Sequence, residues 1–295
     1  MKILITGAKG QLGTELLRVL QSGKTEIGSV PEELIGADIL AVDVDELDIT
    51  DLKAVKSRVS AAHPDVIINC AAYTNVDRCE TDRDIAFRVN ALGARNLAMA
   101  AEDCGAKLIH VSTDYVFAGD GTVPYSEWDI CAPKSVYGAS KRLGEEYVAD
   151  FCSRFFIVRT SWLYGYVGKN FVKTMMRVGK ERGELTVVND QRGNPTNAAD
   201  LAHHLLKLAV TEEYGIYHCT GNGECTWYDF ACEIIRLAKI ECKITPCTTA
   251  EYPSPTPRPA YSSLDNRMLR CTVGDEMRDW KEALQCFMNH YQSEN

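Results

Sequence analysis

Tyr137 and Lys141 stand four residues apart in the segment VYGASKRLGEEY, which spans residues 136–147. On a helix this spacing places both side chains on one face. A phenol beside an ammonium group is suited to proton transfer, because the positive charge stabilises the phenolate and lowers a tyrosine pKa from its usual value of about 10. The alternative is a surface helix on which the tyrosine packs and the lysine is solvated. The rest of the chain must decide between the two.

A glycine motif near the N-terminus indicates a dinucleotide site. The segment ITGAKGQLGTELL places Gly7, Gly10 and Gly13 directly after an apolar strand and at the beginning of a helix. In this context Gly7 permits a tight turn, Gly10 lets the backbone approach a pyrophosphate, and Gly13 permits close packing of the helix. The helix N-terminus adds oriented N–H groups and partial positive charge.

An acid follows the second strand, as a dinucleotide site requires. Asp43 ends the segment ADILAVD, and its carboxylate is expected to accept hydrogen bonds from the adenosine ribose hydroxyls. The same carboxylate would repel a 2′-phosphate, which favours NADH over NADPH. Asp48 and Ile49, in LDITD, are expected to meet the edge and the face of the adenine.

The elements that carry these motifs alternate between strand and helix. Short apolar strands are separated by amphipathic helices, which requires parallel pairing with right-handed crossovers. We predict an α/β fold, a Rossmann-type doubly wound parallel sheet with a smaller C-terminal substrate-binding lobe. The NAD(P)-binding domain is expected over residues 1–165, with 197–220 returning to it, and the substrate-binding lobe over 166–196 and 221–295. A single long helix is predicted over residues 84–104, ending at Gly105, and no regular structure over the proline-dense residues 253–259.

Composition excludes several classes of function. The chain has 295 residues and a net charge of -9, which argues against a nucleic-acid surface. No segment is long and apolar enough to span a membrane or to form a signal peptide, so a cytoplasmic protein is expected. The twelve cysteines form no Cys-x-x-Cys pair. We interpret them as reduced thiols that pack as small apolar side chains.

Four motifs together resemble the extended short-chain dehydrogenase/reductases. They are the glycine loop, NCAAYT at 69–74, STDYVF at 112–117 and YGASK at 137–141. Four longer segments resemble more narrowly the dTDP-4-dehydrorhamnose reductases: VSTDYVFAG, RTSWLYG at 159–165, NDQRGNPT at 189–196 and RPAYSSLDN at 258–266. The similarity follows the expected order along nearly the whole chain.

The resemblance implies a catalytic set of Thr113, Tyr137 and Lys141. Tyr137 would donate the proton, Lys141 would stabilise the phenolate and hold the nicotinamide ribose, and the Thr113 hydroxyl would bond the substrate carbonyl. The implied reaction is hydride transfer from NADPH or NADH to the C4 ketone of a dTDP-linked 6-deoxy-4-keto hexose, with dTDP-L-rhamnose as the product. These roles favour a catalytic pair at Tyr137 and Lys141 over an ordinary surface helix.

Further residues receive roles by resemblance. The expected cofactor-binding set comprises Gly7, Gly10, Gln11, Leu12, Gly13, Asp43, Asp48, Ile49, Ala71, Ala72, Thr74, Asn90, Tyr137 and Lys141. The expected substrate-binding set comprises Val76, Asp77, Thr113, Asp114, Tyr115, Trp162 and Arg258, with Arg258 a candidate for the pyrophosphate. Trp162 could equally be a core residue, and Arg258 an ordinary exposed arginine.

The resemblance also bears on metal, partners and rival functions. Some members of the family hold Mg²⁺ at a dimer contact built from glutamates, but the matching stretch NPTNAADLA offers only Asp200, so no metal site is predicted. The expected partner is a dTDP-linked ketosugar, and a homodimer is compatible with the family. Alternatives are a reductase for another dTDP-4-keto-deoxysugar and a non-catalytic NADP-binding subunit resembling the regulatory subunit of methionine adenosyltransferase. The related 4,6-dehydratases carry Asp-Glu after the strand-end threonine, where this chain has Asp114-Tyr115.

Overall fold

The computed structural model describes residues 1–294. The first half of the chain alternates between strands and helices, as the sequence predicts. Its elements are β1 Lys2–Thr6, α1 Gln11–Ser22, β2 Asp38–Val42, α2 Leu52–Ala62, β3 Val66–Asn69, α3 Val76–Thr81, α4 Arg83–Phe87, α5 Ala94–Cys104, β4 Lys107–Thr113, α6 Val136–Phe151, β5 Phe155–Thr160 and β6 Leu163–Tyr164.

The second half mixes helices with shorter strands. Its elements are α7 Phe171–Arg182, β7 Glu184–Val188, β8 Arg192–Gly193, β9 Thr196–Asn197, α8 Ala198–Ala209, β10 Gly215–His218, β11 Cys225–Thr226, α9 Trp227–Ala238, β12 Lys243–Cys247, α10 Arg267–Cys271 and α11 Trp280–Glu294.

One parallel sheet organises the molecule. Its strands lie in the order β2-β1-β3-β4-β5-β10, and every neighbouring pair is parallel. The chain order reverses direction beside β1, so the carboxyl ends of β1 and β3 frame a crevice where such sheets bind ligands. The prediction of a doubly wound parallel sheet is confirmed.

Helices cover both faces of the sheet because its strands alternate between two cores. Ile3 and Ile5 of β1 face the core that contains α1 and α8, whereas Leu4 faces the core that contains α2, α5 and α6. All three side chains are fully buried. β10 pairs with β5, so a strand from the second half of the chain completes the sheet.

The long helix predicted over residues 84–104 is wrong in one respect. The structure interrupts it with a wide π turn over Arg88–Gly93, between α4 and α5. This turn contains Asn90, whose side chain bonds both backbone groups of Tyr73 and the hydroxyl of Ser140. Single wide turns inside helices are found frequently at functional sites, and hydrophobic periodicity does not reveal them.

A smaller lobe packs beyond the carboxyl edge of the sheet. Aromatic and aliphatic side chains from α7, α9 and α11 form its core. β12 pairs in parallel with β7, with Pro246 opposite Val187. β12 was not predicted from the sequence, because proline usually argues against a strand and is tolerated mainly at an edge. Across residues 1–294, no helix is both long and apolar enough to cross a membrane.

Candidate active site

A cavity of about 900 Å³ lies at the carboxyl edge of the sheet. Its walls are the segments that follow β1, β2, β3, β4 and β5, joined by the beginning of α6. The predicted cofactor-binding residues all line it except Asn90. The Asn90 side chain instead bonds the Tyr73 backbone and the Ser140 hydroxyl, which links the Tyr73 segment to α6. The twelve cysteines are free thiols. Cys70 lines the cavity, and burial raises the pKa of its thiol to about 12.

The glycine loop has the geometry that its sequence predicts. Gly7 has a φ of +65°, and a Cβ there would lie 2.7 Å from the backbone nitrogen of Ala71. A Cβ on Gly13 would lie 2.3 Å from the carbonyl oxygen of Gly7, so α1 can begin this close to the loop only with glycine. Gly10 is the N-cap residue of α1, and no side-chain hydrogen bond caps that helix end. The loop therefore presents a bare helix N-terminus that can receive a phosphate group.

Asp43 lies directly after β2 and lines the cavity. Its carboxylate accepts hydrogen bonds from the backbone N–H groups of Lys9, at 2.9 Å, and Val44, at 2.8 Å. The long connection between α1 and β2, residues 23–37, therefore leaves the acid beside the glycine loop. Lys9, which the sequence analysis missed, also lines the cavity, and its ammonium pairs with Asp45 and Glu46.

Tyr137 sits in the first turn of α6, which Ser135 caps by accepting a hydrogen bond from Gly138 N at 3.1 Å. A Cβ on Gly138 would lie 2.1 Å from the carbonyl oxygen of Tyr115, so the helix rests directly on the turn after β4. Burial raises the pKa of Tyr137. This differs from the expected lowering by Lys141, because the loss of hydration on burial outweighs the opposing hydrogen bond with Thr113. Tyr137 is therefore held protonated, the form a proton donor needs.

Lys141 is almost completely buried, with 2% of its surface exposed, and it lines the cavity. The Nζ atom donates to the carbonyl oxygen of Val111 at 2.6 Å. Burial lowers the pKa of Lys141 to about 8, against the opposing effect of the Glu145 carboxylate. The Glu145 side chain is itself held by Arg159 at 2.8 Å.

Thr113 ends β4 beside Tyr137. Its hydroxyl oxygen accepts a hydrogen bond from Tyr115 N at 3.2 Å and donates to Asp114 Oδ1 at 2.9 Å. Burial raises the pKa of Asp114 to about 6. The Thr113 hydrogen is thus directed to Asp114 in this arrangement, and must turn toward a substrate carbonyl for the expected role.

The predicted substrate-binding residues divide into two groups. Val76, Thr113, Asp114, Tyr115 and Trp162 line the cavity. Asp77 and Arg258 do not contribute to its wall but pair with one another at 2.7 Å. The Arg258 guanidinium also donates to the Tyr115 hydroxyl at 3.4 Å, which places the pair directly behind that ring.

Trp162 is held in an unusual conformation. Its φ is +45°, a left-handed value that is rare for a bulky residue. The indole stacks on that of Trp227, with ring centroids 3.5 Å apart, and a Cβ on Gly193 would lie 2.8 Å from it. Trp227 also lines the cavity and was not predicted as a site residue. Its place at the first position of α9 gave no signal, because the side chain comes from the second lobe.

The residues at the stretch that resembles the family's Mg²⁺ contact do not fit a metal ion. Asp200 is fully buried, and the Arg278 guanidinium bonds its carboxylate at 2.5 Å and that of Glu26 at 2.7 Å. Among the described residues, one further group could offer metal ligands, namely Glu26 with Cys286 and His290. Its carboxylate is the one that Arg278 already neutralises. A guanidinium therefore supplies the positive charge that these acids require.

The sheet, the glycine loop and the Thr113, Tyr137 and Lys141 set on one cavity define an NAD(P)-binding enzyme of the extended short-chain dehydrogenase/reductase class. Comparisons with known proteins agree. Residues 1–293 match the family model described as "RmlD substrate binding domain". A dTDP-4-dehydrorhamnose reductase of Aggregatibacter actinomycetemcomitans is 42% identical, covering 96% of this chain and 97% of that protein.

Solved structures give the same result. The crystal structure of a dTDP-4-dehydrorhamnose reductase from Clostridium acetobutylicum superposes with a TM-score of 0.93 at 47% identity, covering 99% of this chain and all of that one. That of the Bacillus anthracis reductase, in complex with NADP, has a TM-score of 0.91 at 44% identity and covers 98% and 99%. The chain belongs to the RmlD family, whose members named here are dTDP-4-dehydrorhamnose reductases.

The buried ion pairs of Arg278 lead to the first prediction. Arg278→Met removes the cation from two buried carboxylates and should lower the free energy of unfolding by roughly 3 kcal/mol. Arg177→Met breaks an exposed pair with Glu181 and should change it by less than about 0.5 kcal/mol. Urea unfolding measures both. We expect EDTA and Mg²⁺ to leave the wild-type midpoint unchanged; stabilisation by Mg²⁺ would contradict the argument that the guanidinium takes the place of the metal.

Proposed function

We propose that the protein reduces the C4 ketone of dTDP-4-dehydro-6-deoxy-L-mannose to dTDP-L-rhamnose, with NADPH or NADH as the reductant. One observation carries the proposal: Thr113, Tyr137 and Lys141 open on the same cavity as the glycine loop. Membership of the RmlD family supports the choice of sugar.

The cavity fits a dinucleotide. The three glycines form a cradle that a Cβ would fill at Gly7 or Gly13, and the Asp43 carboxylate lies beside the same loop, bonded to Lys9 N. The pyrophosphate would lie on the N-terminus of α1, the ribose hydroxyls would bond Asp43, and the nicotinamide end would reach Lys141. When bound, the reduced cofactor supplies the hydride.

The protein supplies the proton and stabilises the charge that forms. Tyr137 is kept protonated by burial and can donate from its hydroxyl to the oxygen of the reduced carbonyl. The Lys141 ammonium then stabilises the phenolate, since both groups face one cavity from one helix. The Thr113 hydroxyl, if turned from Asp114, holds the carbonyl oxygen in place.

The substrate end of the cavity is aromatic. Tyr115 packs edge-on against Tyr137 with ring centroids 5.5 Å apart, and the stacked indoles of Trp162 and Trp227 also line the cavity. These faces suit a deoxysugar and a planar base. Arg258 is the nearest candidate for the diphosphate, and it must exchange its bond with Asp77 to reach it.

The structure also bears on the rival functions. Burial raises the pKa of Tyr115, which makes its phenol a poor base for the proton abstraction that a 4,6-dehydratase performs. A non-catalytic NADP-binding subunit would not need three reactive side chains on one cavity. Another dTDP-4-keto-deoxysugar remains the second candidate substrate, and product identification separates it from the first. A homodimer and a cytoplasmic location stay predictions.

The role of Tyr137 is tested by its phenylalanine variant. Tyr137→Phe keeps the ring and loses the proton, so it should fold and bind NADPH but lose at least about 10²-fold in kcat, the contribution typical of general acid catalysis. The matched control is Tyr147→Phe, on the same helix and outside the cavity, which should keep wild-type turnover. NADPH oxidation with the dTDP-ketosugar is followed at 340 nm, and undiminished turnover in Tyr137→Phe would remove it from this role.

Cofactor choice tests Asp43. We expect the wild type to accept both cofactors with a modest preference. Asp43→Ala loses the ribose contacts and the repulsion of a 2′-phosphate, so the ratio of kcat/KM for NADPH to that for NADH should rise by about tenfold. Asp38→Ala, at the other end of β2, should leave the ratio unchanged. An unchanged ratio in Asp43→Ala would mean that another residue reads the ribose.

A further inference from the structure

Behind Lys141 lies a line of buried polar side chains that the proposed reaction has not used. It runs from Lys141 through His110 and Asn69 to Thr6, and each of these residues is at most 2% exposed. Lys141 Nζ lies 3.4 Å from His110 Nε2, and His110 Nδ1 lies 2.9 Å from Asn69 Nδ2. Buried polar groups are costly unless their hydrogen bonds are satisfied, so the positions of the hydrogens in this line are constrained.

The Asn69 amide fixes the first of these positions. The backbone N–H of Ala71 lies 3.1 Å from Asn69 Oδ1, and a backbone N–H can only donate. The atom that it faces must therefore be the amide oxygen. The Thr6 hydroxyl donates to the same oxygen at 2.7 Å. The amide nitrogen of Asn69, with its two hydrogens, must then face His110.

The His110 tautomer follows from this orientation. Because Asn69 offers a donor, His110 Nδ1 must be the acceptor and carries no hydrogen. Burial lowers the pKa of His110 well below its usual value, so the ring is neutral and its one hydrogen is on Nε2. That nitrogen faces Lys141 Nζ. The histidine thus presents an N–H group, rather than a lone pair, to the lysine.

We propose that His110 is a positioning residue for the reduction, held by Asn69 as the Nε2–H tautomer so that it offers no acceptor to Lys141. The proposal rests on the role given to Lys141 under the proposed function. The Val111 carbonyl takes one hydrogen of the ammonium at 2.6 Å. If His110 Nε2 were an acceptor, it would bond a second hydrogen of the Lys141 ammonium, and that hydrogen would then point into the sheet and away from the cavity. A donor there leaves the remaining hydrogens for Tyr137 and the cofactor ribose in the cavity.

The same arrangement affects the charge of Lys141. Burial lowers the pKa of Lys141 to about 8. An N–H group at His110 acts in the same direction, because it repels an ammonium but donates readily to a neutral amine. The other titratable groups that act on the lysine are the Glu145 carboxylate and the Cys70 thiol, which raise its pKa, and Tyr137 lines the same cavity. Turnover should therefore decline at alkaline pH as the ammonium is lost.

The tautomer can be observed directly in the wild-type protein. Long-range ¹H–¹⁵N spectra of histidine-labelled protein distinguish Nε2–H from Nδ1–H rings, and the His110 signals are those missing from a His110→Gln sample. We expect Nε2–H for His110. His204 and His218 are internal controls of the opposite form, because each Nδ1 faces a backbone carbonyl, at 2.9 and 3.0 Å. An Nδ1–H ring at His110 would overturn the proposal, whether or not the protein reduces the sugar.

Reversing the tautomer tests its consequence. Asn69→Asp replaces the amide donor with a carboxylate oxygen, so His110 must place its hydrogen on Nδ1 and turn a lone pair toward Lys141. The alkaline limb of the kcat profile, with saturating NADPH and dTDP-ketosugar, should move up by roughly one pH unit. Asn222→Asp makes the same exchange at an exposed site away from the cavity and should leave the limb in place. If Asn69→Asp folds and its limb stays at the wild-type pH, His110 does not tune the lysine.

Discussion

An ammonium group buried at the carboxyl edge of the sheet is the constraint around which the site is built. Lys141 is 2% exposed, and a buried charge is stable only where hydrogen bonds or opposite charges replace water. The Val111 carbonyl supplies the hydrogen bond, and the Glu145 carboxylate supplies charge from the next turn of α6. This requires α6 to lie close against β4, and only glycine at position 138 allows that approach to the turn after β4. The catalytic groups thereby share one cavity.

The same burial shifts the pKa values of Tyr137 and Lys141 in opposite directions. It raises the pKa of Tyr137 and lowers that of Lys141, because in each case the charged form loses its hydration. The tyrosine consequently stays protonated until it donates to a carbonyl oxygen. The buried lysine ammonium is stabilised by any negative charge that forms nearby. A proton donor and a charge stabiliser are obtained from one helix by one physical effect, and neither requires a metal ion.

Much of the fold and of the candidate site could be predicted from local sequence. Gly7, Gly13 and Asp43 occupy the places that their spacing predicts, because a tight turn and a strand end are local features. The features that were missed depend on distant contacts. Trp227 reaches the cavity from the second lobe, and Arg278 neutralises an acid 78 residues away. The π turn positions Asn90 for its contacts with Tyr73 and Ser140. The sign of the Tyr137 pKa shift was also wrong, since burial cannot be read from a motif.

The central claim is that one cavity delivers a hydride and a proton to the two ends of a C4 carbonyl group. The most direct measurement uses dTDP-4-dehydro-6-deoxy-L-mannose with reduced cofactor carrying deuterium at the transferred position of its nicotinamide C4, and NMR of the product. The account predicts dTDP-L-rhamnose with one deuterium on sugar C4 and none elsewhere. A product without deuterium at C4, or one with the opposite configuration there, would contradict it.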